Sequence, residues 1–307
     1  LRFDSEEDPV SHADASNASL PPFGGAEAEA RSGSRIAVFP VPFEATVSYG
    51  GGTAQGPAAI LRASTQVELY DEQSRSEPFR VGIRTEPSFV PGPGTTEAAV
   101  RSISRRFGDL MDEGLFVVML GGEHSITPGG VAAAAARHPG LVVVQIDAHA
   151  DLREAYEGDP WSHASAMARC LDVAEVHAYG VRNYSLEEAE RIGHGIPGYR
   201  VVHAWEMDDD GWMGPAVDAV RDRPVYLTVD VDGFDPSVIP ATGTPEPGGM
   251  RWWQTIRFLD RLFAAARVVA ADVVELAPVE GLHHADFAAA RLVYKIVGFH
   301  ASGRGSR

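Results

Sequence analysis

Short runs rich in valine and isoleucine alternate with Ala-rich or mixed helical stretches along most of this 307-residue chain. Few folds accept that pattern. A strand buried on both faces reads as a continuous apolar run, and parallel strands need helical crossovers between them. Strands are expected at 36–40, 115–120, 141–146, 175–179, 226–231 and 268–274, with helices at 57–63, 97–113, 130–137, 186–192, 215–221, 252–266 and 286–298. The expected fold class is α/β: a three-layer sandwich in which a mainly parallel sheet lies between helices on both faces. No repeat of about 20–50 residues is visible, and no low-complexity linker divides the chain after residue 35. Residues 36–307 therefore read as one domain, and residues 1–35, which contain SEEDPVSHADASNAS, as a flexible N-terminal arm.

Open α/β sheets bind ligands beyond the carboxyl ends of their strands. Three polar clusters sit at such ends: GGEHS after Leu120, DAHAD after Ile146, and DVDGFDP closing the run that begins at Tyr226. Asp147, His149 and Asp151 alternate, and a period of two places alternate side chains of a strand on one side. Asp230 and Asp232 repeat the device, and His124 adds a second imidazole. A lone DxH can cap a helix and a lone DxD can form a turn. Three clusters at corresponding strand ends call for more. Four carboxylates packed together repel one another unless cations neutralise them. Carboxylate and imidazole donors without thiolate suit Mn²⁺ better than a structural zinc site. Two ions about 3.5–4 Å apart bring the pKa of a bridging water toward neutrality. The cofactors expected are thus two Mn²⁺ ions, and the chemistry is hydrolysis by a bridging hydroxide without a covalent intermediate.

The net charge of -17, from 43 acidic and 26 basic residues, disfavours nucleic acid and anionic membrane surfaces and attracts a cation, besides solubilising the surface. No run approaches the roughly 20 apolar residues of a membrane span. Cys170, the one cysteine, cannot form an internal disulfide and reads as a small buried hydrophobe. The first 35 residues hold no apolar core of signal-peptide length, so a cytoplasmic protein is expected.

At these residues the sequence resembles the ureohydrolase family, which comprises arginases, agmatinases, guanidinobutyrases and formiminoglutamases. The resemblance spans 36–300 and rests on GGEHS at 121–125, DAHADLR at 147–153, SHAS at 162–165 and DVDGFDPSVIPATGTPEPGG at 230–249. It implies that Asp147 and Asp230 bridge both metals, that His124 and Asp151 complete one ion, and that His149 and Asp232 complete the other. It also implies that His163 transfers protons and that Glu275, in DVVEL, pairs with the substrate guanidinium, so that Asp151, His163 and Glu275 form the catalytic group. The family assembles as trimers or hexamers, so a homo-oligomer is expected. Two roles have physical support: a carboxylate at a strand end matches a planar guanidinium, and an imidazole titrates near neutral pH. Glu275 in an ordinary salt bridge and His163 as a loop or cap histidine are the plain alternatives.

The tail of the substrate is read from the segment REAYEGDPW at 153–161, where Glu154, Glu157 and Asp159 are expected to repel a carboxylate and welcome an amine. Arg153 is read as bracing a neighbouring carboxylate, with contact to an acidic substrate tail as the alternative. The segment PFEATVSYGGGTAQGPAAILRAS, with YDEQ after it, resembles agmatinases. The expected reaction is agmatine to putrescine and urea. Guanidinobutyrase, formiminoglutamase or arginase activity are alternatives, as are a two-metal phosphoesterase and a catalytically silent metal-binding scaffold. Residues 277–285, with His283 and His284, are a candidate lining of the substrate mouth, and Asp286 reads as the N-cap of the last helix. Gly50, Gly51 and Gly52 lack the Lys and Ser or Thr of a phosphate loop and read as a lid or tight turn.

Overall fold

The structure, a computed structural model, describes residues 20–29 and 33–303. Eight strands form one sheet: β1 (Ile36–Val41), β2 (Ile83–Thr85), β3 (Phe116–Gly121), β4 (Val142–Ile146), β5 (Glu175–Val181), β6 (Tyr199–His203), β7 (Pro224–Asp230) and β8 (Arg267–Val274). Their order is β2-β1-β3-β8-β7-β4-β5-β6, and every pair is parallel. The helices are α1 (Gly25–Ala28), α2 (Gly56–Ser64), α3 (Thr96–Asp112), α4 (Thr127–Arg137), α5 (Ala166–Cys170), α6 (Leu186–His194), α7 (Met213–Asp218), α8 (Trp252–Ala265) and α9 (His283–Ala301).

The alternation of the strands divides the core in two. Ile36, Val38, Val144 and Leu227 face a cluster completed by α2, α7, α8 and α9. Ala37, Phe39, Val143 and Tyr226 face the other, completed by α3, α4 and α5. The expected three-layer sandwich is therefore present. Cys170 is buried in the second cluster. No described helix is long and apolar enough to cross a membrane.

Sequence reasoning passed over both edge strands. β2 has three residues, and β6 reads YRVVH, with Arg200 and His203 breaking the apolar run. Short, polar edges resist pairing with other chains, and the same property hides them from a search for apolar runs. The last helix begins at His283 behind Leu282, so Asp286 lies inside its first turn and is not the N-cap.

Part of the expected arm is packed. Phe23 is fully buried, Ala28 nearly so, and Glu29 bridges to Ile83 beside β2. Residues 1–19 and 30–32 of that expectation lie outside the described residues.

Beneath α9, Lys295 (1% exposed) donates to Asp71 Oδ2 at 2.6 Å and to Glu72 Oε1 at 3.0 Å. Burial would raise the Asp71 carboxyl, yet Lys295 holds it below the usual range. Removing one partner of a buried pair strands the other charge. Lys295→Met is expected to cost about 3–5 kcal/mol, read by urea unfolding. A loss below about 1 kcal/mol, the size of an exposed pair, would contradict this.

Candidate metal centre

Four neighbouring strands, β3, β8, β7 and β4, end on one side of the sheet, and their carboxyl ends supply the site. After β3 the chain turns through Gly122 and Glu123 to His124, which opens the 3-10 turn His124–Ile126. A Cβ on Gly122 would stand 2.0 Å from the Phe43 carbonyl oxygen. Glycine there lets the segment after β1 lie against the GGEHS turn.

Asp147, His149 and Asp151 follow β4 instead of lying on it. The period-two argument holds only in part. His149 makes an isolated parallel bridge to Asn183, whereas Asp151 is aimed by a left-handed backbone with φ 52°. Asp230 ends β7, and Asp232 sits in the next turn, its N–H held by Asp230 Oδ1 at 2.9 Å.

All six expected ligands converge. His124 Nδ1 lies 3.1 Å from Asp147 Oδ2, 3.0 Å from Asp151 Oδ2 and 3.4 Å from Asp230 Oδ2. His149 Nδ1 lies 2.9 Å from Asp232 Oδ2 and 3.7 Å from Asp147 Oδ1. Two groups close enough to hold an ion result, His124–Asp147–Asp151 and Asp147–His149–Asp232, with Asp147 common to both. Gln145 Nε2 and the His149 N–H steady Asp147 at 2.8 and 2.6 Å.

The fit to metal can be tested on His124. Its Nδ1 is buried and has no hydrogen-bond partner among the described residues, while Nε2 meets the Thr228 hydroxyl at 2.9 Å. One ring nitrogen fixed by an outer partner and the other turned bare toward carboxylates is the arrangement of a metal-ligating histidine. Oxygen and imidazole donors without sulfur fit a divalent cation.

The electrostatics point the same way. Burial, with Asp151 and Asp232 beside it, pushes Asp147 up to about 7. Burial, then Asp232 and Asp147, drives Asp230 well above the carboxylate range. Burial also lifts Glu275, with Glu123 adding to it against the His124 N–H. Burial opposes both members of the closest pair, yet the attraction between them holds Asp232 at about 2 and His149 at about 11. Without cations the cluster must carry protons to persist. Divalent ions remove that need.

Above the cluster lies a cavity of about 400 Å³ lined by His124, His149, Asp151, His163, Asp230, Asp232 and Glu275. Glu275 follows β8 directly, with φ 66°, and its Oε1 accepts the His124 N–H at 2.6 Å. A non-glycine residue in that conformation stores strain that surrounding contacts must hold. His163 starts the 3-10 turn before α5, its ring edge-on to Tyr156 at 5.5 Å.

The tail region departs from expectation. Glu154 pairs with Arg191 at 3.0 Å and Arg169 at 3.4 Å, and Asp159 accepts from Thr96 and Trp161. None of Glu154, Glu157 and Asp159 lines the cavity. The wall is instead built from Tyr156, Asn183, Ser185, Glu188, Thr242 and Thr244. Arg153 also lines it, 3.9 Å from Glu188 and 5.5 Å over Tyr156, in the bracing position expected. Glu188 was legible as the fourth residue of SLEE, where Ser185 and Glu188 form the capping box of α6. Its place at the wall was not. His283 and His284 line a separate hollow with Trp252, Trp253 and Phe287.

Residues 34–298 match the model of the Arginase family. The N(1)-aminopropylagmatine ureohydrolase of Synechocystis sp. is 39% identical over 274 residues, 86% of this chain and 88% of that protein. The agmatinase of Bacillus anthracis is 33% identical over 257 residues, 80% of this chain and 84% of that protein. The crystal structure of the agmatine ureohydrolase of Thermoplasma volcanium superposes with a TM-score of 0.83 at 28% identity, covering 95% of this chain and 98% of that one. With the match running through the strand ends that carry the clustered aspartates and histidines, this chain belongs to the arginase family.

Proposed function

We propose that this chain releases urea from a linear guanidino compound with a cationic tail, agmatine first, leaving putrescine. The observation that carries the reading is the convergence of His124, His149, Asp151, Asp230 and Asp232 with Glu275 on one cavity, with Asp147 common to the two donor groups beneath it. Two Mn²⁺ ions would be held by Asp147, Asp230, His124, Asp151, His149 and Asp232. When bound, such a pair supplies Lewis acidity and a water of lowered pKa.

The protein's own groups do the rest. Glu275, fixed by the His124 N–H, accepts hydrogen bonds from the guanidinium and sets its plane. His163, whose pKa burial lowers, favours the neutral imidazole, which can take up a proton on the cavity side and pass it to the departing amine. Asp151 borders the same space, so it counts with these two as a catalytic group. Residues 36–307 then form the catalytic domain of a cytoplasmic homo-oligomer, a trimer or hexamer, with the segment 20–29 packed against it.

An amine tail is favoured by the wall, whose one guanidinium, Arg153, is turned to Glu188. The 39% identical relative named for N(1)-aminopropylagmatine supports a second reading, a longer amine tail in the same cavity. Urea release by Mn-loaded protein from agmatine, N(1)-aminopropylagmatine, arginine and guanidinobutyrate, with formamide release from formiminoglutamate, decides between them. An amine-tailed substrate is expected to lead by about tenfold or more in kcat/KM, since like-charge juxtaposition costs several kcal/mol. A lead for a substrate ending in a carboxylate would reject the proposal.

A further inference from the structure

The glutamate of GGEHS has no part in the metal cluster, yet it is completely buried. Its Oε2 accepts the N–H groups of Ala45 and Thr46 at 2.8 and 2.7 Å, and its Oε1 accepts the hydroxyls of Thr46 and Ser125 at 2.9 and 2.5 Å. Four donors fill the capacity of one carboxylate. Glu123 therefore pins the segment after β1 and spends the single hydroxyl proton of Thr46.

Thr46 Oγ1 can then only accept from its other neighbours. The His163 backbone N–H reaches it at 3.0 Å, and His163 Nδ1 lies 3.0 Å away. A hydroxyl oxygen already donating elsewhere offers lone pairs, so Nδ1 must carry the hydrogen. The lone pair of neutral His163 is thereby placed on Nε2. That atom meets Ser48 Oγ at 2.7 Å, and Ser48 is on the cavity lining.

We infer that Thr46, oriented by Glu123, is a positioning residue that fixes His163 in the Nδ1–H tautomer and so makes Nε2 the atom that exchanges protons with the cavity. This rests on the proton-transfer role of His163 proposed above. On protonation Nε2 gains a hydrogen, while the Nδ1–H bond to Thr46 is kept. The transfer thus needs no ring flip. Thr46 and Glu123 touch neither substrate nor reacting atoms, and they act through the ring they hold. Which nitrogen of a working histidine is protonated is set by the bond its other nitrogen makes.

Thr46→Val removes the acceptor at nearly constant volume, and Thr46→Ser keeps it. Losing such an outer partner is expected to lower kcat by roughly 10- to 100-fold in Thr46→Val, with KM and metal content unchanged and Thr46→Ser close to wild type. In a His163→Asn background the valine is expected to add no further loss. In metal-free protein, ¹⁵N spectra of labelled imidazoles should give the Nδ1–H pattern for His163, absent in Thr46→Val. A slow His163→Asn beside a fast Thr46→Val, or an Nε2–H pattern in the wild type, would overturn the inference alone. A His163→Asn enzyme with wild-type kcat would overturn the role of His163 and the relay with it.

Discussion

Asp147→Ala is expected to bind neither ion of the pair and to lose at least about 10⁴-fold in urea release, because a water of near-neutral pKa reverts toward its bulk value. The position explains the size of the effect. Asp147 is fully buried, stands 3.1 Å from His124 Nδ1 and 3.7 Å from His149 Nδ1, and belongs to both donor groups. Metal analysis beside the urea assay checks it, and an active, metal-loaded variant would reject the shared role. Stability should move the other way in metal-free protein. The folded carboxyl titrates near 7 against 3.8 for the ordinary group, so between those values the fold holds a proton that the unfolded chain has released. Stability of the metal-free wild type therefore falls as pH rises through that window, by up to about 1.4 kcal/mol per pH unit for one proton. Asp147→Ala should lose its own share of that slope, and Mn²⁺ should no longer raise its Tm.

What could be read from the sequence, and what could not, follows from how each feature is encoded. Interior strands such as 141–146 and 268–274 announce themselves because burial on both faces demands unbroken apolar runs. The edge strand Tyr199–His203 does not, since half-exposed residues carry no such demand. The metal ligands were legible because DAHAD and DVD concentrate the chemistry within a few residues of a strand end. Their aim was less so: the φ of 52° at Asp151 is set by the turn into the following loop, not by strand alternation. The cavity wall was misread for a different reason. Charges in REAYEGDPW were weighed by proximity in sequence, whereas Glu154 meets Arg191 and Arg169 from other segments, and Asp159 meets Thr96 at the start of α3. The Thr46–His163 contact joins residues 117 positions apart and has no local signature. Pairings of that kind appear only once the sheet has brought the strand ends together.

Glu275→Gln tests the guanidinium grip by separating function from stability. Glutamine keeps the side-chain shape, and its amide oxygen can still accept the His124 N–H now found at 2.6 Å. It carries no charge to balance the substrate cation. Breaking a buried charge pair from one side costs about 3–5 kcal/mol, so kcat/KM on agmatine is expected to fall by about 150- to 5,000-fold while metal content stays at the wild-type value. The free protein should gain where the reaction loses. Burial, with Glu123 and Asp232 among its neighbours, holds the Glu275 carboxyl well above its ordinary range, so a neutral amide relieves a charge the metal-free fold resists. A higher Tm for metal-free Glu275→Gln than for metal-free wild type at pH 7, together with the collapse in kcat/KM, is the expected pair of results. Unchanged kcat/KM would remove Glu275 from the substrate, and a lower Tm would show that its charge serves the fold. The left-handed backbone at Glu275 points to the expected pair of results, since strain kept at a half-buried carboxylate on the cavity wall is a cost that packing alone gives no reason to bear.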